Sequence, residues 1–150
     1  MCLAEFTVRK ALESEARQIN HLVHLVGINP TGLDWRRFIV AVDPMGRVVG
    51  CGQIKPHGKD LQELASIAVL PEHRGMGIAR AIITELLSME PHRPLYLMCM
   101  SHNGPIYEKF GFQNVSPDQM PRYFQRIHRL FELAHALRKT DEELLVMKLG

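Results

Sequence analysis

The sequence has few cysteines and no paired cysteine motif. Its 150 residues include three cysteines, Cys2, Cys51 and Cys99, which is an odd number without a CxxC pair. This argues against a disulfide framework and against a structural zinc site, because both need several cysteines or histidines at short intervals. We therefore expect a protein of a reducing compartment, the cytoplasm, in which Cys51 and Cys99 pack as small apolar residues.

The sequence also lacks long apolar runs and a strong charge of either sign. No stretch reaches the roughly 18 consecutive apolar residues of a membrane helix, and the first residues do not resemble a secretion signal. The formal net charge of +2 is too small to indicate a nucleic-acid-binding protein. Since 46% of the residues are hydrophobic and 23% are charged, we expect one soluble domain over residues 1–150, with neither membrane nor nucleic acid as partner.

Hydrophobic periodicity and turn residues predict alternating strands and helices. The predicted strands are 5–9, 38–42, 47–54, 61–70, 94–100 and 143–149, with a short extended piece at 112–115 and a turn at Pro56–Asp60. The predicted helices are 14–26, capped by Ser14, 77–89, 103–110 and 121–137. Antiparallel hairpins followed by a crossover helix predict the α/β class, with a central mixed β-sheet that carries helices on both faces.

The segment between the 61–70 strand and the 77–89 helix has the composition of an anion-binding turn, Arg74-Gly75-Met76-Gly77-Ile78-Ala79. The first turn of a helix leaves backbone N–H groups without partners and carries partial positive charge, and glycines let an anion approach closely. A P-loop would need Gly-Lys-Ser/Thr here, and a dinucleotide fingerprint would need glycine where Arg80 stands. A tight turn that merely requires glycine is the alternative.

Two motifs together resemble those of the GNAT superfamily of N-acetyltransferases. Residues 63–79 are similar to the family's central motif, and Arg74-x-x-Gly77-x-Ala79 follows its Q/R-x-x-G-x-G/A pattern. Further along the chain, Tyr107-x-x-x-Gly111-Phe112 is similar to the second family signature. The resemblance covers roughly residues 5–115. It implies a GNAT-like fold and the transfer of an acetyl group to an amine.

The resemblance also implies acetyl-CoA as the co-substrate and no metal. The pantetheine arm would bind as an added strand along the backbone of Ile67, Ala68 and Val69, with Asn103 nearby. The pyrophosphate would lie on the amides of the turn. These comprise Arg74, Gly75, Met76, Gly77, Ile78, Ala79 and Arg80.

The same resemblance indicates two catalytic candidates. Tyr107 matches the family tyrosine that protonates the leaving thiolate, and its alternative role is that of a packed aromatic residue. Glu63 stands where several family members carry a glutamate that removes a proton from the amine. A bound water is the alternative base, because an exposed carboxyl with a pKa of about 4.3 is weakly basic unless burial raises that pKa. A strand-end amide such as that of Val69 is a candidate donor to the oxyanion.

The acceptor is expected to be the primary amine of a small metabolite or free amino acid. Arg36 and Arg37 follow the 29–35 loop, where relatives wall the acceptor site, and an arginine there could bind a carboxylate. Acetylation of a protein N-terminus or lysine, and a non-catalytic acyl-CoA sensor, remain alternatives. The oligomeric state, monomer or homodimer, stays open. We interpret the arginines of the last helix as a solvated face: Arg122, Arg126, Arg129 and Arg138.

Overall fold

The computed structural model describes residues 5–137 and 141–150. Cys2 and Arg138 lie outside the described residues. The chain divides into two compact units, residues 1–91 and residues 92–150, which are called here the first and the second unit. The expectation of one domain over 1–150 stays a prediction.

The described residues of the first unit form an antiparallel sheet with two α-helices. Its elements are β1 (Thr7–Lys10), α1 (Ala16–Val26), β2 (Phe38–Val42), β3 (Val48–His57), β4 (Leu61–Val69) and α2 (Ile78–Met89). Each strand pairs with the next one along the chain, so the order is β1-β2-β3-β4. β2 is buried over its whole length, as expected for an apolar strand covered on both faces.

Two glycines of β3 set the distance at which α2 packs against the sheet. A Cβ atom at Gly50 would lie 2.6 Å from Ile78 Cγ2, and one at Gly52 would lie 2.9 Å from Ile82 Cγ2. Because real Cβ atoms do not approach so closely, glycine is required at both positions if the helix is to remain there. The α2 side chains Ile78, Ile82, Ile83 and Leu86 are buried. The N-terminal end of α2 is therefore held firmly against β3.

The described residues of the second unit form three strands and two α-helices. Its elements are β5 (Leu95–Met100), α3 (Gly104–Glu108), β6 (Gln113–Asn114), α4 (Arg122–His135) and β7 (Leu144–Leu149). β7 pairs antiparallel with β5 on one side and with β6 on the other. Phe124 of α4 is buried with its ring centroid 5.3 Å from that of Tyr96, so this packing anchors the helix.

Two details of the prediction are wrong. Ser14 does not cap a helix, because it lies inside a 3₁₀ turn at Glu13–Glu15. The Glu15 carboxylate accepts a hydrogen bond from the Leu12 amide at 2.8 Å instead. The predicted turn at Pro56–Asp60 also begins too early, since β3 continues through Pro56 to His57, opposite Leu61. Proline is tolerated in a strand where its missing N–H is not needed for a ladder hydrogen bond.

Candidate functional site

The turn that enters α2 offers a row of backbone donors. Gly75 and Gly77 both have φ of +82°, the left-handed conformation that favours glycine. Among the described residues, no acceptor receives the backbone N–H groups of residues 75–80, and the first amide inside the helical ladder is that of Ala81, which donates to Gly77 O at 3.0 Å. Residues 74–77 are exposed. Such a helix start can bind a phosphate or pyrophosphate.

The residues just before this turn are already hydrogen-bonded to one another. The His73 amide donates to Leu70 O at 2.9 Å and the Arg74 amide donates to Pro71 O at 3.3 Å. Arg74 can therefore contribute its exposed side chain to an anion, while its amide is engaged. His73 Nδ1 is buried and has no hydrogen-bond partner among the described residues.

A bulge interrupts β4 at Ser66 and Ile67, shortly before the strand ends at Val69. The register passes from Gln53 opposite Ala65 to Cys51 opposite Ala68, so Ser66 and Ile67 together face Gly52. Ser66 has φ of +60°, which is rare for a residue other than glycine and costs of order 1–3 kcal/mol. Backbone strain of this kind is common at functional sites, where the backbone groups of a bulged, unpaired residue contact a ligand. Ala68 and Val69, beyond the bulge, resume pairing with β3.

Gln53 lies beside the bulge and has no exposed surface. Its Nε2 donates to Ser66 Oγ at 2.9 Å and to Gly32 O at 3.2 Å, and its Oε1 accepts from Arg37 Nε at 3.2 Å. Arg37 Nη2 also donates to Gly32 O, at 2.9 Å. The loop after α1 is thus attached to the face of β3 and β4 that carries the bulge.

Glu63 lies on the same face of β4 and forms a buried pair with His57. The two residues are hydrogen-bonded through Glu63 Oε1 and His57 Nε2 at 2.7 Å, with side chains 7% and 14% exposed. Burial raises the pKa of the Glu63 carboxyl above its ordinary value, and the His57 hydrogen bond and the nearby charges of His57 and Lys55 oppose that shift. A carboxyl of raised pKa is a better base near neutral pH than an exposed one.

Tyr107 and Asn103 belong to the second unit. Tyr107 is half-buried in α3, with its ring edge-to-face with Phe112 at 6.2 Å between centroids. Its hydroxyl is hydrogen-bonded to none of the described residues. Burial, with the Cys99 thiol nearby, raises the pKa of Tyr107 well above its ordinary value, so the hydroxyl keeps its proton at neutral pH. Asn103 ends a 3₁₀ turn (Ser101–Asn103) directly before α3.

Neither a metal site nor a reactive thiol is found in the described part of the chain. No group of three or more His, Cys, Asp or Glu side chains in residues 5–137 and 141–150 could hold a metal ion. Burial raises the pKa of Cys51 to about 12 and that of Cys99 to about 11, so both thiols stay protonated and unreactive. No helix of the described segments is long and apolar enough to cross a membrane.

Three residues of this site did not stand out in the sequence. The sequence places His57 in a turn, shows Gln53 as one polar residue in an apolar strand, and carries no pattern around Ser66 that indicates a bulge. The available signal for Gln53 was its position inside the run Val48–Ile54, where an uncharged polar side chain must find partners if the strand is buried.

Comparisons with known proteins agree on one family. The family model described as an acetyltransferase (GNAT) domain matches residues 34–114, more than half of the chain. An uncharacterized N-acetyltransferase of Chlorobaculum tepidum is 30% identical over 94 residues, which are 61% of this chain and 59% of that protein. This chain therefore spans about three fifths of that relative's length.

Solved structures share the fold. N-acetylglutamate synthase of Neisseria gonorrhoeae, solved with coenzyme A and N-acetyl-glutamate, has a TM-score of 0.73 at 18% identity, over 98% of this chain and 36% of that one. A protein of Mycobacterium tuberculosis, solved with CoA and a second ligand, has a TM-score of 0.72 at 23% identity, over 96% and 99% of the two chains. At such identities the likeness establishes the fold alone, and it confirms the predicted fold class.

Proposed function

Because the chain belongs to the GNAT acetyltransferase family, we propose that it transfers the acetyl group of acetyl-CoA to the primary amine of a small metabolite or amino acid. The observation that carries the proposal is the row of unengaged amides at residues 75–80, at the start of α2. The pyrophosphate of CoA is the anion that this family places on such a turn. The solved structures of similar fold with bound CoA support the same co-substrate.

The strand before the turn is suited to the rest of the cofactor. Ile67 belongs to the bulge, and Ala68 and Val69 follow it to the end of β4; a pantetheine arm could add to the backbone of these three residues as a peptide adds to a sheet edge. Ala68 is buried, and its small side chain gives a flat surface at this point. Arg74 and Arg80 are exposed next to the turn and add positive charge for the phosphates.

Removal of a proton from the ammonium form of the acceptor is assigned to Glu63. A lysine-like amine has a pKa of about 10.4, so it must lose a proton before it can attack the thioester. Burial gives the Glu63 carboxyl a raised pKa, and His57 holds one of its oxygens at 2.7 Å. A bound water that takes the proton in place of Glu63 is the alternative.

Protonation of the departing thiolate is assigned to Tyr107. The CoA thiolate is a better leaving group when it receives a proton, and a phenol that keeps its hydrogen at neutral pH can supply one. Burial raises the pKa of Tyr107, and its hydroxyl has no hydrogen-bond partner among the described residues. Both observations are consistent with a proton donor whose partner is a bound ligand. In the end the amine gains the acetyl group and the sulfur gains the proton.

A carboxylate on the acceptor would find positive charge around the loop after α1. Arg36 is 70% exposed on its side chain and lies over the Trp35 ring at 5.2 Å, and Lys55 is attached to Thr31 O at 2.9 Å. Asp34 pairs with Arg36 at 3.3 Å and offsets part of that charge. Acidic or zwitterionic amines, free amino acids among them, are therefore the preferred acceptor class.

An acceptor screen tests the proposal. Release of free CoA from acetyl-CoA would be followed with matched pairs of amines that differ in one carboxylate, such as an amino acid and its decarboxylated amine. We expect turnover with at least one carboxylate-bearing member and a lower kcat/KM with its partner. Calorimetric titration with CoA would accompany each assay.

Two results would contradict the proposal in different ways. Tight CoA binding without turnover on any amine would favour a non-catalytic acyl-CoA sensor. Turnover on peptides bearing a free N-terminus or lysine, but not on small amines, would favour a protein acetyltransferase.

A further inference from the structure

Gln53 is the centre of a hydrogen-bond network that connects three separate segments of the first unit. Every polar atom of its side chain is engaged: Nε2 donates to Ser66 Oγ and Gly32 O, and Oε1 accepts from Arg37 Nε. Burying an amide without partners is costly, and burying it with partners on three segments restricts how those segments can move. The network therefore does more than satisfy one buried side chain.

The network holds the 29–34 loop close to the β4 bulge. Ser66 Oγ and Gly32 O share one donor group and are at most about 6 Å apart, the sum of the two hydrogen-bond lengths. Lys55 Nζ donates to Thr31 O at 2.9 Å and fastens the same loop one step further along β3. The loop backbone thus lies over the face of the sheet from which Glu63 also projects.

The bulge itself depends on side-chain support. Ser66 is held at φ of +60°, and its side chain and carbonyl are both engaged, by Gln53 Nε2 and by the Cys51 thiol at 3.5 Å. A non-glycine residue persists in this conformation only when its surroundings hold it there. Gln53 is the contact that links this strained residue to the loop.

We propose that Gln53 is a positioning residue that sets the separation between the 29–34 loop and the β4 bulge, and thereby the placement of the acceptor amine. The inference rests on the proposed acetyl transfer, in which the thioester lies along β4 and the acceptor on the loop side. A misplacement of about 1 Å between reacting groups lowers the rate by about 100-fold. Loss of the network should act on the amine and spare the CoA turn, which lies beyond the end of β4.

The test compares two variants of Gln53 with a matched control. Gln53→Met has a similar shape but can neither donate nor accept, whereas Gln53→Glu keeps the acceptor for Arg37 and loses both donations. Gln62→Met makes the same chemical change on the neighbouring strand, at a residue outside this network. For each protein, kcat and KM for the amine, the Kd for CoA and the hydrogen exchange of residues 27–37 would be measured.

We expect both Gln53 variants to lower kcat/KM for the amine by about 10- to 100-fold. Their CoA Kd should change far less than kcat/KM, because the pyrophosphate turn lies outside the network, and amide exchange should accelerate in residues 27–37 and around Ser66. Gln62→Met should match the wild type in all three measurements. If the Gln53 variants do not fold, Ser66→Ala removes one partner of the network and should show the same pattern more weakly.

Other outcomes would overturn the inference. Unchanged amine kinetics in Gln53→Met would do so, and so would losses of CoA binding and amine turnover in equal proportion, which would indicate a purely structural role. If the wild type acetylates no amine, the proposed function fails. The exchange measurement is independent of turnover, and unchanged exchange in the 27–37 segment would show that Gln53 does not hold the loop.

Discussion

Gly77 and Gly46 have the same backbone conformation in two unrelated turns. Both have φ of +82°, and a Cβ atom built on either would meet no heavy atom within 4 Å. Gly77 starts α2 and lies within the proposed pyrophosphate turn, whereas Gly46 lies in the turn between β2 and β3. An alanine at either position therefore meets only backbone strain, and only one of the two should affect CoA.

The size of the effect follows from that strain. A left-handed conformation costs an L-residue other than glycine about 1–2 kcal/mol. Without CoA, the Gly77→Ala variant is expected to relieve the strain by a change of backbone angles that turns the N–H groups of residues 77 and 78 away from the anion position. CoA must restore their direction when it binds. The Kd for CoA should then rise by about 5- to 30-fold, which is the same free energy expressed as a ratio.

Calorimetric titration of CoA into wild type, Gly77→Ala and Gly46→Ala measures this directly. Thermal unfolding without CoA provides the second measurement. Gly46→Ala should lose a few degrees of Tm, about 2–4 °C per kcal/mol for a chain of this size, and Gly77→Ala should lose less because its turn relaxes. Gly46→Ala should bind CoA as the wild type does. The comparison separates loss of the anion site from general destabilisation.

The reasoning would be refuted by a Gly77→Ala variant that loses less Tm than Gly46→Ala, as a relaxed turn should, and still binds CoA within twofold of the wild type. In that case the amides at the start of α2 would not be the pyrophosphate site. An equal loss of CoA affinity in both variants would refute it as well, since Gly46 lies outside the proposed site.

Three further predictions concern single side chains. Tyr107→Phe should lower kcat by about 100-fold or more in a steady-state CoA-release assay and leave the CoA Kd unchanged, because only the proton donor is lost; an unchanged kcat would remove Tyr107 from the mechanism. Glu63→Gln should abolish the acidic limb of the kcat/KM profile, which in the wild type falls as pH drops through the raised pKa of Glu63; a limb that persists would leave water as the base. The hydrogen bond from Arg9 lowers the pKa of the Glu15 carboxyl. The pair therefore stabilises the fold in full at a pH above 4.5, the ordinary pKa of this carboxyl, and the stabilisation is lost as the pH falls through the lowered pKa. Glu15→Gln should therefore lower Tm at neutral pH, with a gap that closes in acid, and a gap independent of pH between 7 and 3 would count against the pair.

Much of the fold was predictable because it depends on local patterns. β2 begins and ends at the predicted residues, and α2 begins one residue later than predicted. Continuous apolar runs and a three-to-four-residue repeat are properties of residues close together in the sequence, so they can be recognised without knowledge of tertiary contacts. The backbone of the turn before α2 was predictable for the same reason, since two glycines in a short connection to an apolar helix favour left-handed conformations there.

The errors occur where a partner distant in the sequence decides the outcome. The Pro56-His57-Gly58 stretch has the composition of a turn, yet pairing with β4 keeps Pro56 and His57 in β3. The side chain that accepts a backbone hydrogen bond at the start of the first helical segment is that of Glu15 and not that of Ser14, because Arg9 of β1 holds the Glu15 carboxylate in place. In both cases cross-strand or inter-element contacts override the local preference.

The sequence by itself determined where the proposed anion site lies, since the unpaired amides, the glycines and the positive end of the helix dipole all belong to residues 75–80. Only the tertiary structure decided which side chains surround the bulge. The register of β3 against β4 brings His57 to Glu63, and it leaves Ser66 opposite no partner of its own. The physical reason is that strand register is a property of two segments, and a shift of one residue would point each of these side chains to the other face of the sheet.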